Sequence, residues 1–337
     1  PEVYEMICKA DTVGVFQIES RAQMNMLPRL KPRTFYDLVV EVAIIRPGPI
    51  QGEMIHPYLR RRNGSEPVEF EHPALEPVLR RTLGVPLFQE QGMKLAIAAA
   101  GFTPAEADRL RRAMGHKRSR ARMEALSQRL IAGMRQNDIP NSVAERIYKQ
   151  LCAFADYGFP ESHAASFALI VYASCYLKHY HPAAFAAALL NSQPMGFYSS
   201  NTILADARRH GVEVHPPCAK RSEWESTLEG SSTNPAIRLG MMELSGLGIK
   251  HIEQFESERA SAPFLSITDF ARRSGLPRAI LGRLAAASGF EAFVANRRRA
   301  LWQIAALPRD FGSMPLLDRL EQEPSQAPPS HLPPVSY

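Results

Sequence analysis

The pattern of apolar and polar positions predicts a mainly α protein with a small β insert. The apolar run Leu38 to Ile45 ends at Arg46-Pro47-Gly48-Pro49. Each proline there lacks a backbone donor and restricts the residue before it, so a rigid turn is expected. Thr103-Pro104-Ala105-Glu106 reads as a helix start, with Thr at the N-cap and Pro at the first helical position. The helix it opens carries Ala107, Leu110 and Met114 on one face. Another helix runs from about Ser142 to Ala155 and stops at Tyr157-Gly158-Phe159-Pro160. Ser162 to Tyr180 forms a third, broken by His181-Pro182. Phe167, Ala168, Ile170, Val171, Ala173 and Leu177 make it apolar nearly all round, which predicts burial. Pro182 opens a short Ala-rich helix through Leu190.

After about residue 195 the pattern shifts. Val212-Glu213-Val214, Ser226-Thr227-Leu228 and Ala236-Ile237-Arg238-Leu239 predict short strands, with a polar loop from Glu229 to Asn234. Helical periodicity returns from Leu244 with glycine-centred turns. Glu323 to Tyr337 holds five prolines and predicts a disordered tail or linker. The expected divisions are 1–195, a connecting segment with strands over 196–240, a helical region over 241–310, and the Pro-rich tail over 311–337.

Composition changes this picture little. The 337 residues allow two or three domains, and 45% apolar with 22% charged residues is ordinary for a globular protein. No run approaches the ~20 apolar residues of a membrane span, and Pro-Glu-Val-Tyr-Glu at the start has no signal-peptide pattern. Lacking an initiator Met, the chain is expected to be a fragment of a cytoplasmic protein. Cys8, Cys152, Cys175 and Cys218 are scattered, which fits reduced packing cysteines better than a zinc site or a disulfide framework. The net charge of +6 favours a polyanionic partner only weakly.

Charge is concentrated from Arg109 to Arg122, where seven Lys or Arg residues occur without an acid, among them Arg111, Arg112 and Lys117. On a helix Arg111 and Arg112 lie about 100° apart, so their planar forks could grip different oxygens of one polyphosphate. A solvated basic face, or pairing with acids elsewhere in the fold, explains the same residues. Arg60-Arg61-Arg62 and Arg297-Arg298-Arg299 are further basic clusters, each either plain surface or a phosphate contact. His163 sits at a predicted helix start, where an anion is favoured. The rings of Tyr157 and Phe159 nearby would suit a small base-stacking pocket, although a lone histidine is more often structural. Leu244-Ser245-Gly246-Leu247-Gly248-Ile249 has the pattern of a helix-hairpin-helix turn. Its glycines would bring backbone N–H groups, with Lys250 just beyond, close to a DNA phosphate. A simple tight turn is the alternative. A degenerate second hairpin is expected near Leu284 to Phe290, with Gly289 at its turn. No Asp-x-Asp, phosphate-binding P-loop, nucleophile elbow or dinucleotide fingerprint occurs, so no complete catalytic apparatus and no metal site is expected within the chain.

Several blocks together resemble the alpha subunit of bacterial DNA polymerase III, a family C DNA polymerase. They are Val15-Phe16-Gln17-Ile18-Glu19-Ser20, Arg46-Pro47-Gly48-Pro49, Leu87-Phe88-Gln89-Glu90-Gln91, Leu110 to Gly115, Tyr157-Gly158-Phe159 with Ser162-His163-Ala164-Ala165, and Leu189-Leu190-Asn191-Ser192. Pro160-Glu161 and the run Asn191 to Tyr198 look like the error-prone branch. The resemblance implies an all-helical fingers domain followed by a tandem helix-hairpin-helix domain. It implies that Arg111, Arg112, Lys117, His163 and Tyr157 serve the incoming dNTP, with His163 near its sugar. It also implies that Arg60, Arg61, Arg62, Ser245, Gly246, Leu247, Gly248 and Lys250 contact primer-template DNA. Mg2+ would be held by palm residues outside this chain, so the fragment alone should be inactive. A sliding clamp and mutagenesis accessory proteins are the further partners implied, and no membrane. The rival expectation is a non-catalytic DNA-binding module from a truncated polymerase gene.

Overall fold

A computed structural model of the chain describes residues 1–45, 51–114, 120–157, 159–196 and 198–308. The Arg46 to Pro49 turn and the Pro-rich tail lie outside the described residues. The chain parts into two compact units, Pro1–Tyr180 and His181–Tyr337.

The first unit is helical throughout: α1 (Glu2–Cys8), α2 (Arg21–Leu30), α3 (Phe35–Ile44), α4 (Gln51–Arg62), α5 (Glu76–Leu79), α6 (Gln89–Ala100), α7 (Pro104–Met114), α8 (Arg120–Gln136), α9 (Asn141–Tyr157) and α10 (Glu161–Tyr180). α3 forms its centre. The Asp37 carboxylate accepts from the N–H groups of Arg33 (2.8 Å) and Thr34 (2.9 Å), starting the helix, and every residue from Asp37 to Ile44 is buried. α10 packs along α3 and α1.

The all-round burial expected of α10 is corrected. Its inward face is Ala164, Ala168, Val171, Cys175 and Lys178, spaced three or four residues apart. Leu169, Ile170 and Leu177 stand out in solvent, at 62%, 47% and 49% exposure. The small inward side chains allow close helix packing, and the packed neighbours cover only that face. Lys178 buries its stem, donates to Val13 O at 3.0 Å and pairs with Asp11 at 3.1 Å.

The second unit begins with α11 (Pro182–Asn191) and α12 (Ser200–Arg209), followed by β1 (Val214–His215), β2 (Thr227–Ser231) and β3 (Asn234–Arg238). α13 (Ile249–Ser261), α14 (Ile267–Ser274), α15 (Arg278–Ala286) and α16 (Arg297–Ala306) complete it. α11 packs on β2 and β3, ahead of the division expected at residue 195. In the sheet, β3 lies between a parallel β1 and an antiparallel β2. The predicted loop from Glu229 to Asn234 is in fact strand up to Ser231, which pairs with Asn234. Its polar side chains are those of an exposed hairpin, and Glu229 pairs with Arg238 across it at 2.8 Å. Phe255, Phe264, Phe270 and Phe290 form the aromatic heart of the helical part, with Phe264 and Phe270 edge-to-face at 4.8 Å.

Candidate nucleotide and DNA contacts

α7 opens with the predicted cap. Thr103 N donates to Glu106 Oε2 at 2.8 Å, and Glu106 N donates back to Thr103 Oγ1 at 3.3 Å. Ala107 and Leu110 are buried and fix the helix against α6, α8 and α9; the Met114 side chain lies outside the described residues. This leaves Arg111 and Arg112 outward, with side chains 43% and 72% exposed. Both forks engage one carboxylate. Arg111 reaches Asp108 at 2.9 Å and Arg112 reaches it at 2.7 Å. Hydrogen bonding from Arg111 holds the Asp108 carboxyl below its ordinary value. Two guanidinium groups sharing one acid leave a net positive charge on this face. Lys117 lies outside the described residues.

His163 projects from the first turn of α10 and is exposed. Its ring stands 5.1 Å from Phe159 and 4.1 Å from Phe167, and Phe167 meets Phe16 edge-on at 5.1 Å. Of the rings expected beside His163, Phe159 is there, Phe167 adds one that was not foreseen, and the expected free helix terminus is not found. Glu161 N donates to Glu90 Oε2 at 2.9 Å, so a carboxylate already occupies the positive end of α10. α6 supports both places. Its start is tied to Phe159, with Gln89 N donating to Phe159 O at 3.1 Å, and its length packs on α7. Of Tyr157, only the backbone at the end of α9 is described.

The hairpin turn from Ser245 to Gly248 leads into α13, but only a single 3-10 turn, Met241–Glu243, precedes it. Gly246 takes φ +81°, a conformation that a side chain disfavours, and an added Cβ would lie 2.5 Å from Arg283 Nη1. Gly248 is the N-cap in extended backbone and needs no such freedom. Ser245, Gly246 and Gly248 are exposed, whereas Leu247 is buried in the core, so the Leu247 side chain is an anchor and no surface contact. The Lys250 side chain lies outside the described residues.

The second hairpin expected near Gly289 coincides with the turn between α15 and α16. Gly289 is buried beside Leu284, and Ser288 carries the positive φ there. The turn that repeats the first is Ser274-Gly275-Leu276-Pro277, between α14 and α15. Gly275 has φ +62°, Leu276 is buried and Pro277 is the N-cap. The shared Ser-Gly-Leu triplet was the available signal. Proline at the cap removes one backbone donor, so the two turns differ in what they offer a phosphate. Arg283 on α15 donates to Ser245 O and ties α15 to the first turn.

The other basic clusters separate on inspection. Arg60 is exposed and pairs with Glu66 at 2.7 Å. Arg61 is drawn in by Glu66 (3.0 Å) and Leu83 O (2.8 Å). Arg62 pairs with Asp37 at 2.6 Å and donates to Leu30 O and Lys31 O. Arg61 and Arg62 thus act as internal struts. At α16 the Asn296 side chain accepts from Arg298 N at 2.9 Å, capping that helix itself. Within either unit, no three His, Cys, Asp or Glu side chains converge among the described residues, which does not suit a two-metal centre. No helix among them is long and apolar enough to cross a membrane.

The sequence profile described as "Bacterial DNA polymerase III alpha subunit finger domain" matches residues 1–138, and that of a helix-hairpin-helix motif matches residues 211–300. The chain is 57% identical over 322 residues to a protein of Anaeromyxobacter sp. (strain K), covering 93% of this chain and 28% of the relative. It is 55% identical over 303 residues to one of Dechloromonas aromatica (strain RCB), covering 90% and 29%. A protein of Mycobacterium tuberculosis (strain CDC 1551 / Oshkosh) is 56% identical over 308 residues, covering 91% and 28%. All three bear the name error-prone DNA polymerase, and the chain spans under a third of their length. This chain belongs to the bacterial DNA polymerase III alpha-subunit family, carries its finger and helix-hairpin-helix segments, and is similar to members named error-prone DNA polymerase.

Proposed function

We propose that this chain is the nucleotide-selecting and DNA-holding part of an error-prone DNA-directed DNA polymerase. The observation that carries the reading is the adjacent pair Arg111 and Arg112, exposed on a helix whose opposite face is locked in the core. Their forks suit the triphosphate of an incoming dNTP, where they would neutralise charge as the phosphoryl group transfers. An arriving triphosphate displaces Asp108 from both. His163, between Phe159 and Phe167, offers a surface for the nucleotide sugar and disfavours a 2′-hydroxyl by crowding. The turns at Ser245 to Gly248 and Ser274 to Pro277 hold the DNA backbone without reading bases. The residues of 1–195 act as fingers and those of 241–310 as the DNA-binding region.

Mg2+ supplies charge neutralisation at the transferring phosphate when bound. No group of acids within either unit among the described residues suits two metal ions, so we assign the site to residues outside this chain. Damage-induced or translesion synthesis in the cytoplasm, with a sliding clamp and accessory proteins, completes the reading.

The test is Arg111→Ala with Arg112→Ala in the complete polymerase. Each lost charge-assisted contact costs about 1.5–3 kcal/mol, so dNTP incorporation efficiency should fall on the order of 100-fold or more while duplex binding persists. Unchanged incorporation kinetics would remove the triphosphate assignment.

A further inference from the structure

The last turn of α2 and the last two turns of α4 enclose two adjoining hollows, of about 360 and 310 Å3, which share Lys31 and Asn63. Arg29, Lys31, His56 and Arg60 line the first, and Lys31, Arg33, Arg61 and Arg62 line the second. No acidic side chain lines either. The acids that serve this region are engaged at its edge, Asp37 by Arg62 and Glu66 by Arg60 and Arg61. The side chains of Arg29, Lys31 and Arg33 have no carboxylate partner among the described residues, and all three residues are exposed. A helix C-terminus such as that of α2 normally repels anions. Here Arg62 covers Leu30 O and Lys31 O, at 2.6 and 3.1 Å, which cancels that repulsion. No Phe, Tyr or Trp side chain lines either hollow, and His56 offers the one ring there, so cations outnumber stacking surfaces.

We infer that this groove is a separate binding site for the sugar-phosphate backbone of a DNA strand, gripped by Arg29, Lys31, Arg33 and Arg60 independently of base sequence. Two linked hollows with Lys31 at their junction suit consecutive phosphates. The inference rests on the reading that this chain handles DNA. It adds a contact surface apart from α7 and the hairpin turns.

The test uses the 337-residue chain and fluorescence anisotropy with labelled single-stranded and duplex oligonucleotides across a KCl series. Arg29→Ala, Lys31→Ala and Arg60→Ala are combined; all three side chains are exposed, so the fold is retained. Each phosphate contact contributes roughly 0.7 to 0.9 to the salt slope. The triple variant should therefore lose about 2 from that slope, and Lys31→Arg should lose none. A change in the single-strand arm assigns an unpaired strand, and one in the duplex arm assigns paired DNA; either supports the groove. A wild-type slope in the triple variant overturns the groove alone. No binding by the wild-type chain overturns the groove and the DNA-holding reading together. If the triple variant abolishes calorimetric binding of inorganic tripolyphosphate yet leaves both oligonucleotide arms unchanged, the groove is a small-anion site and the backbone assignment fails.

Discussion

Arg62 donates from Nη1 to Asp37 Oδ1 at 2.6 Å, so one guanidinium joins the end of α4 to the start of α3. Nε and Nη2 meanwhile satisfy the last carbonyls of α2. Removing it leaves Asp37 Oδ1 and two carbonyl groups without that donor and takes away the charge facing a largely buried carboxylate, whose Oδ2 keeps the N–H groups of Arg33 and Thr34. Arg62→Ala should cost about 3 kcal/mol or more, whereas Arg60→Ala, at an exposed pair, should cost under about 1. Urea unfolding of both variants checks this, and equal losses would refute it. Burial pushes the Asp37 carboxyl up, but the bonds from Arg62, Arg33 N and Thr34 N outweigh it and leave it lowered. Its contribution is therefore complete above the ordinary aspartate range and is lost as pH falls through the lowered value.

Glu41 sits in the buried stretch of α3 with both carboxylate oxygens unpartnered, and burial pushes its carboxyl up to about 8. It is protonated in the folded chain at neutral pH and ionised in the unfolded one. Folding therefore loses stability as pH rises from the ordinary glutamate range towards 8, and levels off above that. Glu41→Leu should raise Tm at about pH 8 by clearly more than at about pH 5. Thermal melts at the two pH values decide it; an equal gain at both would mean that the carboxyl does not titrate this way.

Gly246 and Gly248 look equivalent in sequence and are not in structure. Gly246→Ala meets both a positive φ and the Arg283 side chain, and should cost about 1–2 kcal/mol with weakened oligonucleotide binding. Gly248→Ala, in extended backbone where an added Cβ would meet only an ordinary contact with His251 Nδ1 at 3.8 Å, should keep both within error. Chemical unfolding with parallel anisotropy measurements distinguishes them. A tolerated Gly246→Ala would show that the turn has another conformation open to it.

Asp108 holds Arg111 and Arg112 in competition with any incoming polyphosphate. Asp108→Asn should tighten tripolyphosphate binding severalfold in low salt, with the gain shrinking at about 1 M KCl through screening. Isothermal titration calorimetry measures it. Weaker binding would mean that Asp108 orients the two forks productively rather than competing for them.

The helical character, the α7 cap, the break at His181-Pro182 and the hairpin turn at Ser245 to Gly248 were legible because each rests on local chemistry. A proline without a donor, a threonine at a cap and a glycine at positive φ act within a few residues of themselves. The basic clusters were legible as charge, and the family as a set of ordered blocks.

Their use was decided by partners distant in sequence. The run Arg60-Arg61-Arg62 has one chemistry, yet Glu66, Leu83 O and Asp37 make two of the three into struts and leave Arg60 outward. The composition of α10 predicted burial, but composition does not say how many neighbours a helix will have. Packing on α3 and α1 covers Ala164, Ala168, Val171 and Cys175 and leaves Leu169 and Leu177 exposed. The anion site expected at the start of α10 was filled by Glu90, a residue of α6. Backbone preference is a property of neighbouring residues and can be read from the chain. The pairing of a charge, and which side of a helix is covered, depend on contacts that only the folded chain brings together.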